Sequence, residues 1–179
     1  MSIAEFLGFV HHKKTADGSA AAETETVRKI VAALDSMDVE HARYIAAFAF
    51  ILCRVARANL TINASDVHVM ERMLMERGGL PEQQAILVVE MAKTQSLLFG
   101  GTEDFVVTRE FNRMATPEQK LALLDCLFAV AADPMISAAQ DTEISQICHE
   151  LQIEQDDLIA VRSKYREFRS VLKPPEPEA

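Results

Sequence analysis

The ten residues from Tyr44 to Cys53 read Tyr-Ile-Ala-Ala-Phe-Ala-Phe-Ile-Leu-Cys, without a single charge or amide, and the run ends at Arg54. As a helix they span about 15 Å, roughly half the hydrocarbon core of a bilayer, so the run is too short to cross a membrane. Residues 45–55 are apolar on nearly every side of a helix, which predicts the buried centre of a bundle. The rest of the chain agrees: six glycines and six prolines in 179 residues, few alternating β-branched runs, and abundant Ala, Leu, Met, Glu and Gln. That composition favours helix throughout, and no sheet is expected.

Helices are predicted at 23–36, 39–58, 64–78, 81–98, 103–114, 117–132, 138–151 and 155–172. Three of the starts carry capping chemistry. Thr116-Pro117-Glu118-Gln119 supplies a hydroxyl cap, a proline at the first helical position and a glutamine that can reach back. Asn63-Ala64-Ser65-Asp66 and Ser137-Ala138-Ala139-Gln140 repeat the logic. The last helix presents Leu158, Val161, Tyr165, Phe168 and Leu172 on one face, which must pack on the domain. Three segments follow: an amphipathic leader and flexible stretch over 1–22, one all-α domain over 23–173, and a proline-rich disordered tail over 174–179.

A formal charge of −9 argues against nucleic acid, whose phosphates need clustered cations. Cys53, Cys126 and Cys148 lie in apolar stretches with no paired spacing, which fits a reducing cytoplasm, and residues 6–10 are too short for a signal peptide. No Glu-x-x-His, H-E-x-x-H, G-x-S-x-G or phosphate-binding glycine loop occurs, so an enzyme is not expected. His11, His12, His41, His68 and His149 are scattered, and the cysteines and methionines read as core filler.

Setting residue n beside n+74 aligns Ala58 with Ala132, Ile62 with Ile136, Ala64 with Ala138, Met70 with Ile144, Met73 with Ile147 and Glu76 with Glu150. Each copy runs apolar helix, short polar loop, capped helix, which suggests two stacked helical hairpins. At Ala132-Asp133-Pro134-Met135-Ile136-Ser137-Ala138-Ala139-Gln140, followed by Ile144, Ile147 and Leu151, the chain resembles the TerB-like family of bacterial helical proteins. That family includes tellurite-resistance proteins and the N-terminal domain of a membrane-associated DnaJ-type co-chaperone. Its mark is a twice-occurring Ala-Asp-Gly-x-Ile-Ser/Thr-x-x-Glu, and the likeness covers roughly residues 25–170. The resemblance implies a single bundle of seven or eight helices with a pseudo-twofold repeat. It also implies a non-enzymatic role in stress or tellurite-resistance-type responses, with a co-chaperone-like adaptor that docks a protein partner as the alternative.

The family's clustered acids have been linked to divalent cations. Carried over by position, Asp66 and Asp133 are the retained acids, Asn59 and Gln140 stand where the family has acids, and Asp141 is a nearby substitute. The family's glycines are here Leu60 and Pro134. A hard cation such as Ca²⁺ or Mg²⁺ takes oxygen donors, and exchanging carboxylates for amides keeps donors while lowering the charge that sets affinity, so any site is expected to be weak. Asp66 and Gln140 can equally serve the capping boxes alone, worth about 1 kcal/mol each.

Two basic features face outward in this reading. Arg162, Arg166, Arg169 and Lys173 recur along one face of the last helix, either complementing its dipole or docking a partner. The leader, with Ile3, Phe6, Leu7, Phe9 and Val10 ahead of His11-His12-Lys13-Lys14, is expected to pack on the domain or stay mobile, with at most peripheral membrane contact through residues 3–14. Residues 121–161 carry eight acids and no Lys or Arg, and so hold most of the acidic excess.

Overall fold

The computed structural model describes residues 35–169, and the leader, most of the helix expected at 23–36, Leu172, Lys173 and the tail lie outside the described residues. Within them are six α-helices, α1 (Val39–Arg57), α2 (Ala64–Gly78), α3 (Glu82–Met114), α4 (Pro117–Ala131), α5 (Ala138–Leu151) and α6 (Gln155–Lys164), then a 3₁₀ turn at Arg166–Phe168. Among the described residues the only β pairing is a single bridge between Ile136 and Arg169.

The apolar run lies where its composition demands. Every residue of α1 from Ile45 to Ala56 is buried, and α1 packs against α2, α3, α4 and α5. Phe50, Phe111 and Phe128 are among the largest fully buried side chains of the core, and Tyr44 stacks on Phe111 with ring centroids 5.2 Å apart. The expected capping boxes are present at Asn63/Asp66, Thr116/Gln119 and Ser137/Gln140, each side chain bonding the other's backbone N–H.

Two boundaries differ from the sequence reading. The helices expected at 81–98 and 103–114 are one continuous α3, about 50 Å long. Gly100 and Gly101 together cost only about 2 kcal/mol of helix propensity, and a Cβ on Gly100 would run into the Arg57 guanidinium and force it to shift. The last helix ends at Lys164 instead of running to 172. Tertiary contacts turn the chain: the Tyr165 ring stacks on Phe128 at 5.5 Å, its hydroxyl donates to the Asp125 carbonyl at 3.2 Å, and the Phe168 carbonyl accepts from the Ile136 N–H at 2.7 Å. Leu158 and Val161 are buried as expected, whereas Phe168 remains exposed.

Candidate functional site

The loops at 58–63 and 132–137, which follow α1 and α4, lie side by side and bond each other's helix starts. Asn59 Oδ1 accepts from the Ser137 hydroxyl at 2.5 Å, and Ser65 Oγ donates to Asp133 Oδ2. Asp66 and Gln140 are buried, each accepting the N–H of its own cap residue, Asn63 at 2.8 Å and Ser137 at 3.0 Å. Four of the five residues singled out for a cation, Asn59, Asp66, Asp133 and Gln140, are thus part of one bonded set of loops and caps. Burial raises the Asp66 pKa, its hydrogen bond from Asn63 only partly offsets this, and the nearby Asp133 charge raises it further. Two carboxylates that repel each other are what a cation would relieve. Yet among the described residues no group of three or more His, Cys, Asp or Glu converges on one point.

The fifth residue, Asp141, is engaged elsewhere. It pairs with Arg162 Nε at 3.1 Å and accepts from Arg169 Nη2 at 2.9 Å, while Arg162 Nη2 also donates to Ser145 Oγ at 2.7 Å. The predicted basic stripe is therefore not one continuous helical face. Two of its arginines are drawn to Asp141, Arg166 lies beyond the end of α6 and is exposed, and Lys173 is outside the described residues. Asp133 also lines a groove of about 370 Å³ with Ser65, His68, Glu71, Arg72 and Glu82. Counting His68 as scattered overlooks this groove, because only folding brings α2 against the second loop.

A second polar centre was not anticipated. Arg54, buried at the end of the apolar run, forms a bidentate pair with Glu150 at 2.7 and 3.1 Å, donates from Nε to Glu143 and from Nη1 to Thr108 Oγ1 at 3.0 Å. One turn on, Arg57 donates to Asp104 at 2.7 Å and Ser96 at 3.1 Å. The α3 partners recur every fourth residue, Ser96, Gly100, Asp104 and Thr108, a polar and small stripe along the inward side of the helix. That spacing is the sequence signal that was available. Burial alone would lower the Arg54 pKa, but the Glu150 and Glu143 hydrogen bonds more than reverse it. Burial, the largest single influence, works to raise Glu150, but the hydrogen bonds from Arg54, Gln146 and Thr108 together with the Arg54 charge outweigh it and lower the pKa. Asp104 is raised, burial outweighing Arg57. An arginine that stays protonated does not exchange protons at neutral pH, so Arg54 acts as a fixed charge that ties α1, α3 and α5 together.

The three thiols are buried, and burial raises them to about 12 at Cys53, about 11 at Cys126 and about 12 at Cys148. Activation of a thiol requires the opposite shift. Among the described residues no helix is long and apolar enough to cross a membrane.

Against known proteins, the model of one family, described as tellurite resistance protein TerB, matches residues 44–163, from α1 into α6. No curated protein and no solved structure matches the chain.

Proposed function

The chain belongs to the TerB family, and from that premise we propose that it is a non-enzymatic accessory protein of a tellurite-resistance-type stress response, acting by binding in the cytoplasm. The observation that carries this reading is the family match, which spans both loops and the arginine cluster. The unactivated thiols and the absence of a catalytic motif in the sequence support a role without chemistry. In this reading the two helix–loop–helix units are copies of one ancestral unit, making the bundle pseudo-twofold. The spacing supports it: α1 and α4 end at 57 and 131, α2 and α5 begin at 64 and 138, the same 74-residue offset in both cases. With the helix expected at 23–36 the described six become seven.

A divalent cation, Ca²⁺ or Mg²⁺, would be held weakly at the paired loops by Asp66 and Asp133, with Asn59 and Gln140 lending amide oxygens. Asp141 drops out of this set because Arg162 and Arg169 already neutralise it. Bound there, the ion would supply charge neutralisation and link the two loops. The adaptor reading is favoured by one observation, the exposed apolar side chains of α3. Deleting the gene tests the main proposal. Reduced tolerance to tellurite with unchanged growth in its absence is expected, and unchanged tolerance would refute it; a reproducible chaperone partner combined with unchanged tolerance would favour the adaptor.

A further inference from the structure

A helix in a bundle is held chiefly by its buried apolar side, and α3 is held that way only toward its two ends. Val88, Val89, Met91 and Ala92 are buried before its middle, and Val107, Thr108 and Phe111 after it. Between Ala92 and Val107, a stretch of about 21 Å, the only buried residues are Ser96 and Gly100. The five large apolar side chains there, Leu97, Leu98, Phe99, Phe105 and Val106, are each between 46% and 66% exposed, and none packs against the described core. At about 100° per residue, Leu98 and Phe105 point one way, Phe99 and Val106 about a quarter-turn further round, and Leu97 another way again. Among the described residues it is Arg57 that holds the stretch. Its Nε donates to Ser96 Oγ at 3.1 Å, its Nη2 donates to Asp104 Oδ2 at 2.7 Å, and its guanidinium lies against Gly100 between them. We infer that residues 96–104 form a strap that opens locally while both ends of α3 stay in the core, and that Arg57 is the clip that holds it closed.

Helix propensity and electrostatics both favour opening here. Gly100 and Gly101 are adjacent, glycine is among the weakest helix formers, and sharp bends in helices gather at such pairs. Segments with few buried apolar contacts open at the low end of a protein's stability range, well short of global unfolding. The clip itself is weak. Asp104 Oδ1 is buried with no hydrogen-bond partner among the described residues. Burial of this carboxylate outweighs the attraction of Arg57 and of Arg54, 3.9 Å away, and Glu143 on α5 repels it, so its pKa is raised. Opening returns the carboxylate to water. Arg54 does not share the task of the clip. It bonds Thr108, beyond the strap, and Glu143 and Glu150 on α5, so the C-terminal part of α3 stays tied when Arg57 lets go. Residues 93–106 span about 21 Å as a helix and up to about 45 Å when extended, so an opened strap can bow outward between fixed ends. Its five apolar side chains are then released from the helical spacing that points them to different sides.

Amide hydrogen exchange in the full chain tests the strap. Amides at 98–106 should exchange about tenfold or more faster than those at 88–92 of the same helix. Arg57→Ala should speed the 98–106 amides by about a further tenfold, as the loss of a charge-assisted hydrogen bond implies, and change those at 88–92 by no more than about twofold. Gly101→Ala, whose side chain meets open space, should slow the strap about fivefold through helix propensity. That variant removes no contact, so it decides the matter even if Arg57→Ala does not fold. Equal protection along 88–106 would overturn the inference. So would an Arg57→Ala chain that speeds 88–92 as much as 98–106, since the opening would then be global, or a strap whose rate is unchanged by Gly101→Ala.

Discussion

The two polar centres of this bundle, the arginine cluster and the paired loops, handle buried charge in opposite ways. In the first, two guanidinium groups meet Asp104, Glu143 and Glu150 drawn from two other helices, and the buried Arg54 is surrounded by acceptors. In the second, Asp66 and Asp133 lie close enough for the charge of one to raise the other, beside serines and amides, and among the described residues neither makes a salt bridge. The cluster pairs its charges with its own residues, while the described loops pair their acids with hydroxyls and backbone N–H groups. Arginine cross-links belong to architecture, and the loops are where the proposed cation would be tested.

Breaking the cluster should have the largest effect. Arg54→Ala strands Glu150, almost wholly buried, and is expected to cost about 3–5 kcal/mol in urea unfolding. Arg54→Ala combined with Glu150→Gln should cost less than the sum of the single changes, and strict additivity would show that the two groups do not act as a pair. A milder test separates the neighbouring glycines. Gly101→Ala should stabilise by up to about 1 kcal/mol through helix propensity, because its side chain meets open space, whereas Gly100→Ala should forfeit that gain by pushing Arg57 off Asp104. Equal responses would detach Gly100 from the cluster.

At the loops the expected effects are smaller. Leu60 stands where the family has glycine and adopts φ of 68°, in the left-handed region, with its side chain almost fully exposed. Leu60→Gly should therefore stabilise by about 1 kcal/mol, since the left-handed backbone costs a side chain about 1–2 kcal/mol and little burial is lost. The pH dependence separates the centres by sign. The Asp66 pKa is raised on folding, so its contribution favours the fold most below the unfolded value near 4 and is lost as pH rises through the folded value. Glu150 is lowered, so its contribution is present above the unfolded value and lost as acid carries the pH through the folded one. Asp66→Asn should thus flatten any gain in stability as the pH falls from neutral toward about 4 and leave the loss at lower pH in place; an unchanged profile would remove Asp66 from the account. Smallest of all, millimolar Ca²⁺ should raise the melting temperature by a degree or less, and a rise of several degrees abolished by Asp133→Asn would show tight cation binding at the loops.

Much of this was legible along the chain, and the reason is local. Caps at Asn63, Thr116 and Ser137 act over three residues, so the start of each helix is fixed by side chains a turn away. The apolar run of α1 could be placed at the centre because no other environment suits it. The failures were of another kind. Gly100-Gly101 reads as a break until Arg57 is seen to need the space, and residues 165–169 read as helix until Tyr165 finds Phe128. Asp141 looks like one more loop acid, but residues 21 and 28 positions further on decide what it does.

By itself, then, the sequence determined an all-helical bundle, its central helix and the capped loops that bring Asn59, Asp66, Asp133 and Gln140 into play, because hydrophobic period and capping are settled within a turn or two. Only the tertiary structure decided which charges meet. Arg54 lies 89 and 96 residues from its carboxylates. Coulomb attraction in a buried site depends on distance in space and on burial, and neither can be read from separation along the chain.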